Sequence, residues 1–266
     1  MTCTSILTRD ESTQLLNEGY LTFGSCAEEN ELRPMRFEFE KVFEKFDVTN
    51  EKLFGGGKVE RAAMLPAFTD CPALLSLIAN PTIIAIAQEG LGTDDIEYTG
   101  SILRRTLFDS FIHAPNSKGY VWHSDCFLEG DKATIPDDRI AIWIYLDDVS
   151  DDEGATQMLP GSTEIVRANL RAGLDSQAGT EELKALADED ENGVFVTAPA
   201  GGGLAFKSFV LHRARPNKSG IARRVVTFDY RVRGTQFVPD GNYQALSDDA
   251  QEQVRSAVPE AAHWLF

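Results

Sequence analysis

Tyr120-Val121-Trp122-His123-Ser124-Asp125 places a histidine and an aspartate two residues apart at the end of a run with strand texture. On an extended chain, residues i and i+2 point to the same face, so the imidazole of His123 and the carboxylate of Asp125 project toward one point. Two such groups are two thirds of a 2-His-1-carboxylate facial site, the donor set that leaves open positions on a non-haem Fe(II). The third ligand is expected from a distant histidine brought in by folding. His212, at the end of Phe209-Val210-Leu211-His212, is the candidate.

Outward from that stretch the chain has two textures. From about residue 96 onward, short strand-like runs follow one another. These are Ser101–Ala114, Val121–His123, Arg139–Leu146, Ala155–Leu159, Val194–Thr197, Gly203–Phe206, Phe209–His212 and Arg223–Arg231, separated by turn signals such as Asp147-Asp148, Pro160-Gly161 and Pro216-Asn217. The preceding part reads as helices. Thr8–Glu18 carries a capping box, Thr8 with Glu11, and Gly19 to end it. Tyr20–Phe23 is a short strand. Ser25 with Glu28 offers a second capping box, opening a helix with Phe39, Val42, Phe43 and Phe46 on one side and Pro34 near its start. Pro72–Ala79 and Pro81–Glu89 begin with proline, as short helices do. Gly55-Gly56-Gly57 is a loop without the lysine and hydroxyl residue of a phosphate cradle.

Helices first and strands after predict a mainly β fold with flanking helices, a double-stranded β-helix of the jelly-roll or cupin-like kind. We expect one domain over 1–266. Its parts are a mainly helical portion at 1–95, a barrel core at 96–235 with an acidic insert at 176–191, and a C-terminal tail with a helix near Ser247–Ala257 at 236–266.

Composition narrows the function classes. The 266 residues carry a formal net charge of −17, which repels phosphate backbones and argues against a nucleic-acid partner. No run approaches the roughly 20 apolar residues of a membrane span, and Met1–Asp10 lacks the pattern of a secretory signal, so a cytoplasmic location is expected. The cysteines Cys3, Cys26, Cys71 and Cys126 are scattered, which fits reduced thiols rather than a zinc site or disulfide framework. Against the acidic background, Arg213, Arg215, Lys218, Arg223 and Arg224 form a basic stretch with no acid among them, suited to a small anion.

Four blocks carry a resemblance. They are Trp122-His123-Ser124-Asp125; Ile142 to Val149, read I-W-I-Y-L-D-D-V; Glu153 to Ser162, read E-G-A-T-Q-M-L-P-G-S; and Leu211-His212 through Arg215-Pro216-Asn217 to Arg223-Arg224. Over roughly Thr99 to Arg231 the chain resembles the phytanoyl-CoA dioxygenase family of Fe(II)/2-oxoglutarate oxygenases, whose ectoine hydroxylases share the W-H-S-D wording. The resemblance implies Fe(II) held by His123, Asp125 and His212, with 2-oxoglutarate and O₂ as co-substrates. It implies Arg223, at the family's offset from the distal histidine, as the anchor of the co-substrate's far carboxylate. A planar two-toothed donor suits that task. Arg224 falls on the opposite strand face. Trp143 matches a family tryptophan that contacts the co-substrate. Ala214 stands where the family often has a serine. Because a carboxylate occupies position 125, hydroxylation is expected over halogenation, with desaturation or cyclisation as variants.

The substrate side is open. Arg104 and Arg105 precede the metal stretch, and one of the two must face the barrel interior; His113 lies on the face of Arg105. These three are the candidate substrate contacts. The insert at 176–191 sits where such barrels carry a lid. A small-molecule substrate, amino-acid-derived or a natural-product intermediate, is expected ahead of an acyl-CoA. A non-catalytic barrel binding a metal or anion is the alternative, and the oligomeric state is not encoded in these patterns.

Overall fold

The computed structural model of the chain describes residues 7–45, 52–53, 57–63, 71–106, 122–125, 128–129, 132–133, 139–174, 181–188, 192–235 and 248–266. In chain order, helix α1 (Arg9–Glu18) leads to β1 (Tyr20–Phe23), α2 (Glu29–Lys45), β2 (Lys52–Leu53) and β3 (Gly57–Ala63). Helices α3 (Pro72–Leu75, continued as a 3₁₀ turn) and α4 (Pro81–Leu91) precede β4 (Ile96–Thr106), β5 (Leu128–Glu129), β6 (Lys132–Ala133), β7 (Arg139–Tyr145) and β8 (Gln157–Met158). Then come α5 (Ser162–Arg171), α6 (Glu181–Asp188), β9 (Val194–Phe195), β10 (Gly203–Lys207), β11 (His212–Arg213), β12 (Arg223–Val232) and α7 (Asp248–Ala257).

Among the described residues the major sheet has seven strands in the order β1-β10-β7-β12-β4-β3-β2, and a three-stranded sheet, β11-β8-β9, packs on its inner face. Its pairs are antiparallel, with β12 central: Val225 lies opposite Tyr145 of β7 and Arg104 of β4. This is the expected jelly-roll architecture with flanking helices.

Alternation divides the sheet residues between two cores. The outer set, including Leu103, Ile142, Ile144, Val226, Phe228 and Tyr230, packs against Leu15, Phe39, Ile83 and Ile86 of the helices. The inner set, Trp143, Tyr145, Leu204, Phe206 and Val225, meets Met158, Val196 and Val210. Each fully buried large side chain contributes about 1.5–3 kcal/mol relative to exposure. The helical layer carries many of them, so it is part of the fold and not an appendage. Strands β1 and β3 also join the major sheet, through β10 and β4, so no packing boundary falls at residue 95.

Helix α1 has its capping box, with Glu11 Oε2 accepting from Thr8 N at 2.7 Å, and ends at Gly19 with φ 78°. Three expectations are corrected. Helix α2 starts at Glu29, because the Ser25 hydroxyl is used in a local turn with Ala27, and it is Glu31 that reaches back to the Glu28 N–H at 2.7 Å. Pro34 therefore lies inside the helix. The Pro160-Gly161 signal is not a bare turn: Gly161, at φ 78°, is the N-cap of α5, whose Val166 and Leu170 are buried one turn apart. The part of the Ser101–Ala114 run beyond Thr106 lies outside the described residues, as do Cys3 and Cys126; Cys26 forms no disulfide.

Among the described residues no single helix is long and apolar enough to cross a membrane. The apolar pair formed by α3 with its 3₁₀ extension and α4 turns Leu74, Leu77, Ile83 and Ile86 into the helical core.

Candidate active site

The two histidines meet through their backbones. His123 and His212 form an antiparallel bridge, with His123 N donating to His212 O at 3.0 Å and His212 N to His123 O at 2.8 Å. Asp125 is pinned by its N–H, which donates to Ser208 O at 3.0 Å. The start of β11 holds the His123 end of the H-x-D stretch and the loop before it holds the Asp125 end, and alternation sends the three side chains to one point. Their ligand atoms all lie within 4.8 Å of one another, and His212 Nε2 is 3.8 Å from Asp125 Oδ1. The imidazole rings are 4.4 Å apart at 48°.

His212 is 5% exposed, and its Nδ1 lies 3.2 Å from Val210 O. A proton on Nδ1, donated to that carbonyl, leaves the Nε2 lone pair facing Asp125. The sequence does not reveal this partner, because a backbone carbonyl has no residue signature. The Phe206 ring packs 4.9 Å from the His212 ring and meets Trp143 edge-on at 5.4 Å, which fixes the orientation from the other side. Burial acts to raise the Asp125 pKa, but the charges of His212, Arg139, His123 and Arg104 outweigh it and hold the carboxyl below its ordinary value. Two imidazoles and an ionised carboxylate on one side of a point are a fitting donor set for a divalent iron with open positions opposite.

On the inner face of β12, Arg223 is 6% exposed; it donates through Nη1 to Gly154 O and through Nη2 to Thr106 Oγ1 at 3.3 Å. Arg224 turns outward, forming a two-toothed pair with Asp147 at 2.6 and 2.8 Å. Trp143 lies on the inner face of β7, and its buried Nε1 has no hydrogen-bond partner. Of the two consecutive arginines on β4, Arg104 faces inward, its guanidinium 4.6 Å above the Trp143 ring. Arg105 is the one that alternation turns to the helical layer, where it pairs with Glu40 at 2.5 Å and lies over Phe43. His113 lies outside the described residues. Within the insert, α6 buries Leu183 against Val166 and Leu170 of α5, in the same cluster as Trp122.

One inward pair escaped the sequence reading. Arg139 opens β7 and pairs with Asp229 of β12 at 2.9 Å; Asp229 is 1% exposed, and burial pushes its pKa up. In the register Asp229 lies opposite Ala141 and Arg139 opposite Arg231, so the pair is diagonal across the two strands and has no spacing signal in the sequence.

Comparisons with known proteins place the chain among relatives of the same fold. The chain is 25% identical over 180 residues to the L-proline trans-4-hydroxylase of Streptomyces griseoviridis, covering 61% of this chain and 65% of that one, so it spans about two thirds of the relative's length. Among solved structures it is similar to SnoK, a non-haem α-ketoglutarate-dependent carbocyclase from nogalamycin biosynthesis, at TM-score 0.67 and 20% identity over 91% of this chain and 94% of that one. HygX from Streptomyces hygroscopicus, solved with nickel and 2-oxoglutarate bound, superposes at TM-score 0.62 and 16% identity over 92% and 93% of the two chains. The phytanoyl-CoA dioxygenase family model matches residues 16–225, and by that match, on this fold, the chain belongs to the phytanoyl-CoA dioxygenase family.

Proposed function

We propose that this protein is an Fe(II)- and 2-oxoglutarate-dependent dioxygenase that hydroxylates an unactivated C–H bond of a small molecule. The convergence of His123, Asp125 and His212, with ligand atoms within 4.8 Å, carries the reading. These three hold Fe(II). The chemistry that centre supplies when loaded is the coupled conversion of 2-oxoglutarate and O₂ to succinate and CO₂, with one oxygen atom delivered to the substrate.

The chain's own part is binding and orientation. The Val210 carbonyl sets the tautomer of His212. Arg223, fixed by the Gly154 carbonyl and Thr106, presents its guanidinium to the far carboxylate of 2-oxoglutarate. Trp143 Nε1, buried and unpartnered, is a spare donor on the same inner face of the sheet. The apolar inner walls, Leu204, Phe206 and Val225, exclude water from the reacting atoms. The substrate is a small molecule, amino-acid-derived or a natural-product intermediate. L-Proline, the substrate of the relative from S. griseoviridis, is the first compound to try. A cysteine outside any disulfide, Cys26, suits a cytoplasmic location.

The test is anaerobic Fe(II) with 2-oxoglutarate, followed by O₂ and substrate. A visible charge-transfer band on mixing, and succinate release that requires substrate and is abolished by His123→Ala, are expected. Iron binding without the band or 2-oxoglutarate consumption would instead mark a non-catalytic barrel.

A further inference from the structure

Arg104 stands apart from the other arginines of β4, β7 and β12: inner Arg223 has Gly154 O and Thr106 Oγ1 as hydrogen-bond acceptors, and the rest have acids. Arg105 has Glu40, Arg224 has Asp147, Arg139 has Asp229, Arg231 has Glu97 and Arg233 has Asp95. Arg104 has no carboxylate or hydrogen-bond partner among the described residues, and its Nε is buried and unsatisfied. Its register neighbours are Arg61 of β3 and Val225 of β12, so neither adjacent strand supplies an acid at that level. The guanidinium lies 4.6 Å over the Trp143 ring. A cation held in an interior without a counter-charge is costly unless a ligand supplies one.

Charge in the cavity supports the same conclusion. Arg139 and Asp229 cancel. A bound Fe(II) dication and 2-oxoglutarate dianion cancel, and Arg223 offsets Asp125. Arg104 is the charge left over among the described inward residues. We propose that Arg104 is the receptor for a carboxylate on the substrate, so that the substrate class is a small monocarboxylic acid. Stacked on an indole, the guanidinium offers its in-plane edge, the geometry that suits a planar two-toothed anion. A single spare cation matches a monoanion, and matches a polyphosphate such as the coenzyme A nucleotide poorly. This rests on the dioxygenase reading above and narrows it.

The test uses the protein loaded anaerobically with Fe(II) and 2-oxoglutarate. L-Proline, benzoate and phenylacetate are titrated by calorimetry, each beside its carboxamide. The wild type is expected to bind at least one acid in preference to its amide. Arg104→Gln should weaken that acid by roughly 10- to 100-fold, the effect of losing a charged hydrogen-bond partner. Arg104→Lys should recover part of the loss, and the affinity for 2-oxoglutarate should stay within about threefold of wild type in both variants. Equal binding of acids and amides, no binding of any acid, or acid binding unchanged in Arg104→Gln would each overturn the proposal. So would a loss confined to 2-oxoglutarate, which would make Arg104 a co-substrate contact. Failure of the dioxygenase reading is recognised separately, by the absence of the charge-transfer band in the wild type.

Discussion

His212 depends for its orientation on a carbonyl two residues before it, 3.2 Å from Nδ1. Replacing it with alanine removes a ligand and uncovers the Phe206 ring; we expect His212→Ala to lower Ni(II) or Fe(II) affinity by more than about 100-fold in calorimetry, beyond the usual cost of losing only an outer partner. Asp125 makes a pH prediction. Its folded pKa lies below the unfolded one, so its contribution to stability is present above the unfolded value of about 4 and is lost as pH falls through the folded value. In the metal-free protein, the stability difference between wild type and Asp125→Asn should therefore shrink in urea titrations carried from pH 7 to below pH 4. Cys26 is set by a different balance. Burial pushes its thiol up to about 11, and Sγ donates to Gly201 O at 3.2 Å. At pH 8 roughly one thiol in a thousand would be ionised, against about a quarter for an ordinary cysteine, so iodoacetamide should label it some hundredfold more slowly than a free thiol, read by mass spectrometry. At this scale the sequence was partly legible. His123 and Asp125 announce themselves by spacing, and Arg223 by its offset. Val210 and the Arg139–Asp229 pair do not, because their roles come from backbone atoms and from strands that are adjacent only after folding.

Between β11 and β12 the turn does more than reverse the chain. Asn217 is 0% exposed; its Nδ2 donates to Thr106 O at 3.2 Å and to Ile221 O at 2.7 Å, and its Oδ1 accepts from Ser219 N at 3.1 Å. Gly154 packs against this turn in a conformation, φ 76°, that disfavours a side chain, and an added Cβ would meet Arg215 O at 2.7 Å and Asn217 N at 2.9 Å. The carbonyl of the same glycine accepts from Arg223. The turn and the Glu153-Gly154 block thus form one clamp on the guanidinium. Asn217→Ala should cost about 2–3 kcal/mol of stability, by stranding buried carbonyls, and should raise KM for 2-oxoglutarate more than it lowers kcat. An unchanged KM would separate the clamp from co-substrate binding. The Pro216-Asn217 pair was readable as a turn from its residue types. Its load was not, because the partners Thr106 and Gly154 are remote in sequence. Helix α5 was missed for a related reason: a glycine at its N-cap, without a side-chain oxygen, carries no start signal.

Across the whole molecule, one sheet serves two purposes, and adjacent residues of β12 divide them. Val226 and Phe228 face the helices, while Val225, Thr227 and Asp229 face the cavity. The alternation is strict over this stretch, so stability and chemistry should be separable by single substitutions one residue apart. Phe228 is fully buried in the helical core, and Phe228→Ala leaves a void there that should cost about 3–5 kcal/mol. The inner wall opposite, with the ligand loop clamped by its own backbone bonds, does not border that void. Denaturant unfolding of Phe228→Ala should therefore show the large loss in a single transition, while its Fe(II) affinity and KM for 2-oxoglutarate stay within about threefold of wild type. A selective collapse of metal binding at intact stability would mean that the helical layer sets the site's geometry through the sheet. The two faces would then act as one element and not as two independent surfaces.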